Sequence, residues 1–578
     1  SDLHAAIGLV RSAVGQAKES ASNRQTMVYL MSEFRAGSAA LDAPLPPTNV
    51  DETDQVALLA APPAETAVGN VQITAIDPVR SVVQPGATDG SDRVTVRLRR
   101  TGGAMSGDVT RVRLSGDGLP AITPKTVQWK PGQAEAEAEF IVDFNAGVKQ
   151  DREIGLVAAI DDDALNADNT RQIVLEARSS LRVLMIDRRS FGFERGLDQL
   201  TAGQWIRRAL EPLEKGPITV VEAEPAALDV ADLRTTDVAI LPRPDLITDS
   251  GWTLLQPFVQ RGGLLIVMPP AEVNVHQWTT RMVDSLNLPW RLALEAIDHG
   301  DGLLMAEEQP AAELTRLISS ELAELGRPVV TMRSLPVERP TTQATTLLQF
   351  ADGSPLLIVS AAGNASGATT QPAMVESGAA KPQAAENTSR GLVVYLAVAP
   401  ELSWTSLPSK PLMVPLFHEL IRQGLSVIIG SQKIAVGDQP SLAQGVAARD
   451  LVGPSGQRLP LDASGRAQQP IEMSGLYGVD DPSGQPIGQV AVNIDPRAGQ
   501  TDVQPASAVQ AWLKASGPWT TFDPQRVSAT LGAGTTGSPI SGMILMIVLG
   551  LVILETILAR LFSHAYRDER VDARVLTT

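Results

Sequence analysis

Apolar positions at Leu3, Ile7, Val10 and Val14 recur every three to four residues and predict an amphipathic helix at the start of the chain. A short apolar strand, Thr26 to Met31, follows it, then Ser32-Glu33-Phe34 and a second strand, Val56 to Ala60. Helix, strand, loop and strand read as the latter half of an α/β sheet. A Pro- and Ala-rich stretch, Leu41 to Thr66, separates this part from the next. Beyond Val71 the period drops to two: Arg93 to Arg99, Thr110 to Leu114, Ala134 to Val142, Ile154 to Ile160 and Gln172 to Ala177 alternate apolar with polar residues. With turns such as Pro131-Gly132 between them, these strands predict an immunoglobulin-like β-sandwich.

At Leu181 the texture changes again. LRVLMID is a continuous apolar strand, Leu200 to Leu213 a helix, Ile218 to Glu222 and Asp237 to Leu241 strands, Trp252 to Arg261 a helix and Gly263 to Met268 a strand. Strands alternating with helices predict a parallel sheet covered on both faces. The same sheet is expected to resume with Val329 to Leu335, Thr346 to Phe350, Leu356 to Ser360 and Leu392 to Val398, and Pro411 to Gln423 to pack on it as an apolar helix. Ala361 to Arg390, low in complexity and almost free of large apolar residues, is expected to be an exposed, mobile loop. Ile434 to Pro496 reads as a second, small β unit.

The expected division is therefore 1–66, 67–180 (sandwich), 181–424 (α/β, with the loop 361–390), 425–515 (small β domain), 516–539 (linker), 540–562 (transmembrane helix) and 563–578 (tail). The membrane helix rests on Ile540 to Ala559, ISGMILMIVLGLVILETILA, apolar on every face apart from Glu555. Twenty such residues reach across roughly 30 Å of hydrocarbon. Arg560, Arg567, Arg570 and Arg574 follow the span, while Arg526 alone lies in the twenty residues before it. The positive-inside rule thus puts the tail in the cytoplasm and the large domains outside. No signal peptide precedes the first helix, and the chain is expected to lack its true N-terminus.

Composition narrows the functional classes. A net charge of -17 repels nucleic acid and suits an ectodomain. The chain has no Cys, which removes disulfides, thiolate metal sites and cysteine nucleophiles together. Asp161-Asp162-Asp163 with Asp168-Asn169 is a calcium candidate, set against a solvated strand connection because no Gly-centred twelve-residue loop is present. His418 reads as a packed or surface residue rather than a base.

Two family resemblances bear on chemistry. The strand followed by Ser32-Glu33 resembles the end of a von Willebrand factor A domain, in which a Ser-Asp at this place helps hold a divalent metal. Ser32 and Glu33 are therefore the metal candidates, although Glu33 stands where the family has Asp, no Asp-x-Ser-x-Ser loop is present, and the carboxylate could equally cap a helix. Residues 181–424 resemble a class I glutamine amidotransferase-like domain, whose nucleophile would sit in the turn after GGLLIVM. That turn is Pro269-Pro270-Ala271, without hydroxyl or thiol. Ser250 and Thr253 would have to reach across from the preceding helix.

The order of segments DALNADN, LRVLMID, WTSLPSKPLMVPLFHEL, SGLYGV and AVNID before one apolar span resembles the BatA-type, aerotolerance-related membrane proteins of planctomycete-like bacteria. The resemblance implies a non-enzymatic binding or scaffolding component of the envelope, partnered by other envelope proteins and a MoxR-type ATPase system. It implies no cofactor beyond a divalent metal in a complete von Willebrand domain. The alternative is a hydrolase or amidotransferase-like enzyme using Asp187, Glu272 or His276.

Overall fold

The computed structural model describes residues 3–20, 26–39, 41–47, 56–84, 92–102, 109–145, 151–188, 196–212, 216–339, 344–361, 391–430, 433–442, 448–517, 519–521, 546–551, 553–555 and 557–558. The chain forms two compact units, residues 1–67 with 501–578, and residues 68–500.

In the first unit the helix Leu3–Ser20 precedes strands Thr26–Leu30 and Val56–Ala60, which pair in parallel. The third strand of this sheet comes from the other end of the chain, Trp519–Thr521, parallel to Val56–Ala60. Helix Ala506–Ala515 adds Val509, Trp512 and Leu513 to a core with Ile7, Val28, Phe34 and Leu58. This corrects the expected grouping. Residues 501–515 belong to the first unit rather than to the small β domain, and 519–521 form a strand rather than linker, because an α/β half-sheet needs both a further strand and a covering helix.

The second unit opens with a two-sheet sandwich. Strands Asn70–Pro78, Arg93–Thr101 and Glu135–Ile141 form one sheet. Thr170–Ala177, Arg152–Ala159, Val109–Gly116 and Lys125–Gln128 form the other, with Val82–Val83 at its edge. Alternate residues such as Val94, Val96 and Leu98 point into the shared core. Pro131-Gly132 makes its expected turn, with Gly132 at φ 76°.

Seven strands then build the central layer: β1 (Leu181–Ile186), β2 (Ile218–Ala223), β3 (Val238–Leu241), β4 (Leu264–Val267), β5 (Ala344–Gln349), β6 (Pro355–Ala361) and β7 (Leu392–Leu396). Their order is β2-β1-β3-β4-β7-β6-β5. The first five are parallel; β6 runs antiparallel to β7, and β5 antiparallel to β6 at the far edge. The expected parallel sheet is thus mixed, because the tight turn between β5 and β6 allows only an antiparallel pairing. Val330–Ser334 is not part of it and pairs instead with Ile297–Leu304.

Helices α1 (Ala202–Leu210) and α5 (Met413–Gly430) cover one face of the layer. α2 (Val230–Arg234), α3 (Asp249–Gln260) and α4 (Trp278–Leu286) cover the other. A five-stranded unit of short strands between Ile434 and Asn493 follows, with a core around Leu451, Tyr477 and Val492.

Of the expected mobile loop 361–390, Ala361 ends β6 and residues 362–390 lie outside the described residues. The expected membrane span is described only in part: 546–551, 553–555 and 557–558 are helical. Among the described residues no helix is long and apolar enough to cross a membrane.

Candidate functional site

In a doubly wound sheet the connections from neighbouring strands β1 and β3 leave in opposite directions, opening a crevice at their carboxyl ends. Here the strand order reverses at β1, so Asp187 after β1 and Arg243 after β3 stand where such folds place ligands. The backbone of Asp187 continues the ladder, its N–H donating to Ala223 O at 3.1 Å. Its side chain lies against the first turn of α1, where a Cβ on Gly203 would overlap Asp187 Oδ2. Glu401 meets the same turn, its Oε1 accepting from the N–H of Ala202 at 2.9 Å.

Charge is concentrated here around one guanidinium. Arg243 donates from Nε and Nη2 to the two carboxylate oxygens of Asp245, at 2.9 Å each, and from Nη1 to Glu272 Oε2 at 3.1 Å. The bidentate bond to Asp245 raises the Arg243 pKa and fixes its plane. Burial pushes the Asp187 carboxyl up to about 6; the Arg188 N–H and Arg243 oppose this, while Glu222 and Glu224 add to it. Glu401 is also raised, first by burial and then by Glu272 and Asp187, against the bond from Ala202. The crevice is therefore rich in carboxylates, and Arg243 is already engaged on two sides.

The structure thus joins two of the three sequence candidates electrostatically and sets the third apart. Asp187 and Glu272 both lie within the field of Arg243. His276 is wholly buried, its ring edge-on to Trp278 and Trp404 at centroid distances of 6.1 and 6.2 Å. Trp278 Nε1 donates to His276 Nδ1 at 3.2 Å, so the neutral ring carries its proton on Nε2. Burial, then the charge of Arg333, pulls the imidazole down to about 4. Such a group is a packing element at neutral pH.

The other candidates are engaged locally. Pro269 and Pro270 are buried after β4, and Trp404 Nε1 donates to the Ala271 carbonyl at 3.4 Å. Ser250 Oγ pairs with Thr248 Oγ1 at 2.9 Å, and Thr253 Oγ1 donates to Asp249 O, so both hydroxyls serve the start of α3. Ser32 Oγ accepts from the N–H of Phe34 at 3.0 Å, and Glu33 pairs with Arg35. Among the described residues no group of three or more His, Cys, Asp or Glu side chains is placed to hold a metal ion. His418 Nε2 lies 3.0 Å from Ala209 O and joins α5 to the end of α1, a packed role as expected.

The carboxylate Glu401 and the guanidinium Arg243 escaped sequence reasoning. The signal that could have found Arg243 was its place directly after an apolar strand, in Leu241-Pro242-Arg243-Pro244. A concave surface beside α1 is lined by Leu200, Gln204, Arg207, Arg208 and Glu211.

No family model and no curated protein matches this chain. Among solved structures it is similar to the mmIFT52 N-terminal domain, at 10% identity and a TM-score of 0.25 over 43% of this chain and 97% of that one. It is also similar to the exo-β-1,4-mannosidase Op5Man5 from Opitutaceae bacterium strain TAV5, at 12% identity and a TM-score of 0.21 over 44% of this chain and 36% of that one. CBD12 from CALX1.2 aligns with 18% of this chain and 48% of its own length, at 11% identity and a TM-score of 0.12.

Proposed function

We propose that this chain is a non-enzymatic binding or scaffolding component of the bacterial cell envelope, of the BatA type. In this reading residues 1–66 are the end of a von Willebrand A-like domain, 67–180 an immunoglobulin-like module and 181–424 an amidotransferase-like domain without that chemistry. A helix over 540–562 anchors the chain in the cytoplasmic membrane, with the large domains outside. Its partners are other envelope proteins, with a MoxR-type ATPase system on the cytoplasmic side.

The observation that carries the proposal is the state of the crevice. Nucleophilic catalysis needs a nucleophile and a base within hydrogen-bond reach of each other. At the carboxyl edge Arg243 is instead tied into pairs with Asp245 and Glu272, Asp187 and Glu401 accept from backbone N–H groups, and two buried prolines fill the turn after β4. Anchoring is supported by Met546, Ile547, Leu549, Leu551, Ile553 and Leu554, whose side chains are all exposed in the helical residues after 545.

A second reading, acid–base hydrolysis through Asp187, is favoured by one feature: a carboxyl raised to about 6 at the switch point suits proton transfer. One experiment separates the two. The full chain and its Asp187→Asn variant are purified from membranes, their co-purifying proteins identified by mass spectrometry, and both preparations assayed for ammonia release from glutamine and for ester and glycoside hydrolysis. Scaffolding predicts the same envelope partners with both chains and no turnover. Turnover that Asp187→Asn abolishes would overturn it.

A further inference from the structure

Strand Asn70–Pro78 turns Val71 and Ile73 into the sandwich core and carries two buried amides on its other face. Asn70 and Gln72, two apart and hence on one side of the strand, are 0% and 1% exposed. Beside them the loop between Arg152–Ala159 and Thr170–Ala177 contributes Asp168 and Asn169, at 5% and 3%. Asp163 fixes that loop against the strand, accepting from the Val71 N–H at 2.7 Å and from Asn169 Nδ2 at 3.2 Å. The third wall is Gly499. A methyl group there would overlap both Asp168 Oδ2 and Gln72 Oε1, so these oxygens converge on the space in front of its Cα.

The internal bonds leave this cluster far from satisfied. Asn70 Nδ2 donates to Asp168 Oδ2 and to Gly499 O, both at 2.9 Å. Among the described residues Asn70 Oδ1, Gln72 Oε1, Asp168 Oδ1 and Asn169 Oδ1 have no partner, and Gln72 Nε2 is the one donor in the same condition. Burying a polar group without a bond costs about 1–3 kcal/mol, so several in one place call for a missing partner. The excess is of acceptors over donors, and one of them belongs to a carboxylate. A neutral hydrogen-bonding partner would meet only part of that demand, whereas a cation meets all of it.

We propose that this cluster is a buried site for a hard divalent cation of the calcium class, held by the Asp168 carboxylate and the side-chain carbonyls of Gln72 and Asn70. Carboxylate and amide oxygens are the ligands such ions take, with water completing the shell. The site differs from the acidic run that precedes it. Asp161 is exposed and bonds Arg113 at 2.9 Å, and Asp162 points to solvent. Strand, loop and the 3-10 turn Pro496–Gly499 come from three separated segments of the chain, so an ion here would fasten the sandwich to the segment leaving the small β unit. The inference is independent of the scaffolding proposal.

The test uses the full purified chain after chelator treatment, titrated with Ca2+ by calorimetry, with melting followed in parallel and Mg2+ as a comparison. The expected result is one Ca2+ per chain and a rise of several degrees in Tm. Asp168→Asn, close in shape, should weaken binding at least tenfold, and Gln72→Met should do so if Asp168→Asn fails to fold. An Asp161→Asn/Asp162→Asn double variant should bind as the parent does. Absence of Ca2+ binding to the parent chain, or binding that survives Asp168→Asn and is lost in the double variant, would overturn the proposal; the first outcome would leave the cluster to buried water.

Discussion

Phe34 and Trp512 meet edge to face, with ring centroids 6.3 Å apart and planes at 74°. Phe34 follows the first strand of the chain, and Trp512 lies on the helix Ala506–Ala515. Around them Arg35 Nη1 donates to Thr501 O at 2.8 Å, Trp512 Nε1 to Ala43 O at 2.6 Å, and the Leu45 N–H to Ser516 Oγ at 2.9 Å. The first unit is thus closed by the segment that returns after the whole second unit has been made.

Replacing Trp512 by Ala should therefore loosen residues 3–60 rather than the residues nearest to it in sequence. The ring is 5% exposed, and truncating a buried aromatic costs about 3–5 kcal/mol. Hydrogen exchange should show faster exchange in Leu3–Ser20 and Thr26–Leu30, with the sheet β1–β4 unchanged. Uniform loss of protection across both units would contradict the division.

Much of this architecture was legible because burial imposes a period on the chain. The sandwich strands alternate, so their inward residues declare themselves. Strands β1, β3 and β4 are buried on both faces and read as continuous apolar runs. What was not legible depends on partners remote in sequence. Nothing in Trp519–Thr521 says that it pairs with Val56–Ala60, and Val330–Ser334 looks like a layer strand until its pairing with Ile297–Leu304 is seen. The crevice follows the same rule. Asp187 ends a recognisable strand, whereas Glu401 matters only because the fold brings it to the start of α1.

Gly203→Ala should strain the crevice directly. The added methyl meets the Asp187 carboxylate, which must turn away or force α1 outward. Overpacking of this kind costs about 1–3 kcal/mol. In the double variant Gly203→Ala/Asp187→Ala the clash is gone, so denaturant unfolding should show a favourable coupling between the two changes. Strictly additive losses would mean that the side chain and the helix are not in contact.

Stability should also depend on pH through Glu153. Its Oε2 accepts from the N–H of Gln489, and burial raises its pKa from 4.5 to about 7, with Glu176 adding to the rise and Gln489 opposing it. A carboxyl raised in the folded state favours folding while it is protonated in both states, below pH 4.5, and that contribution is lost as pH climbs to about 7. The difference in unfolding free energy between Glu153→Gln and the parent should therefore widen between pH 5 and 8, in favour of the variant, by on the order of 1–3 kcal/mol. A constant difference over that range would show that Glu153 titrates normally.

A buried ion pair links the sandwich to the central layer. Arg80 Nη2 and Glu419 Oε2 are 2.8 Å apart, and the two side chains are only 6% and 4% exposed. Arg80 precedes the edge strand Val82–Val83, and Glu419 lies in α5; nearby, the Val82 N–H donates to Ser426 Oγ at 3.3 Å on the same helix. Two charges so deeply buried attract strongly, but each has given up its hydration, and the net gain over an apolar pair of similar size is small or negative. Removing one partner is a different matter, since the other charge then stays buried alone at a cost of about 3–5 kcal/mol. Arg80→Met should accordingly be severely destabilising, and adding Glu419→Leu should restore most of the loss. Chemical denaturation of the two single variants and the double variant checks this directly. A double variant no better than Arg80→Met would mean that the pair contributes through its own attraction rather than by mutual neutralisation.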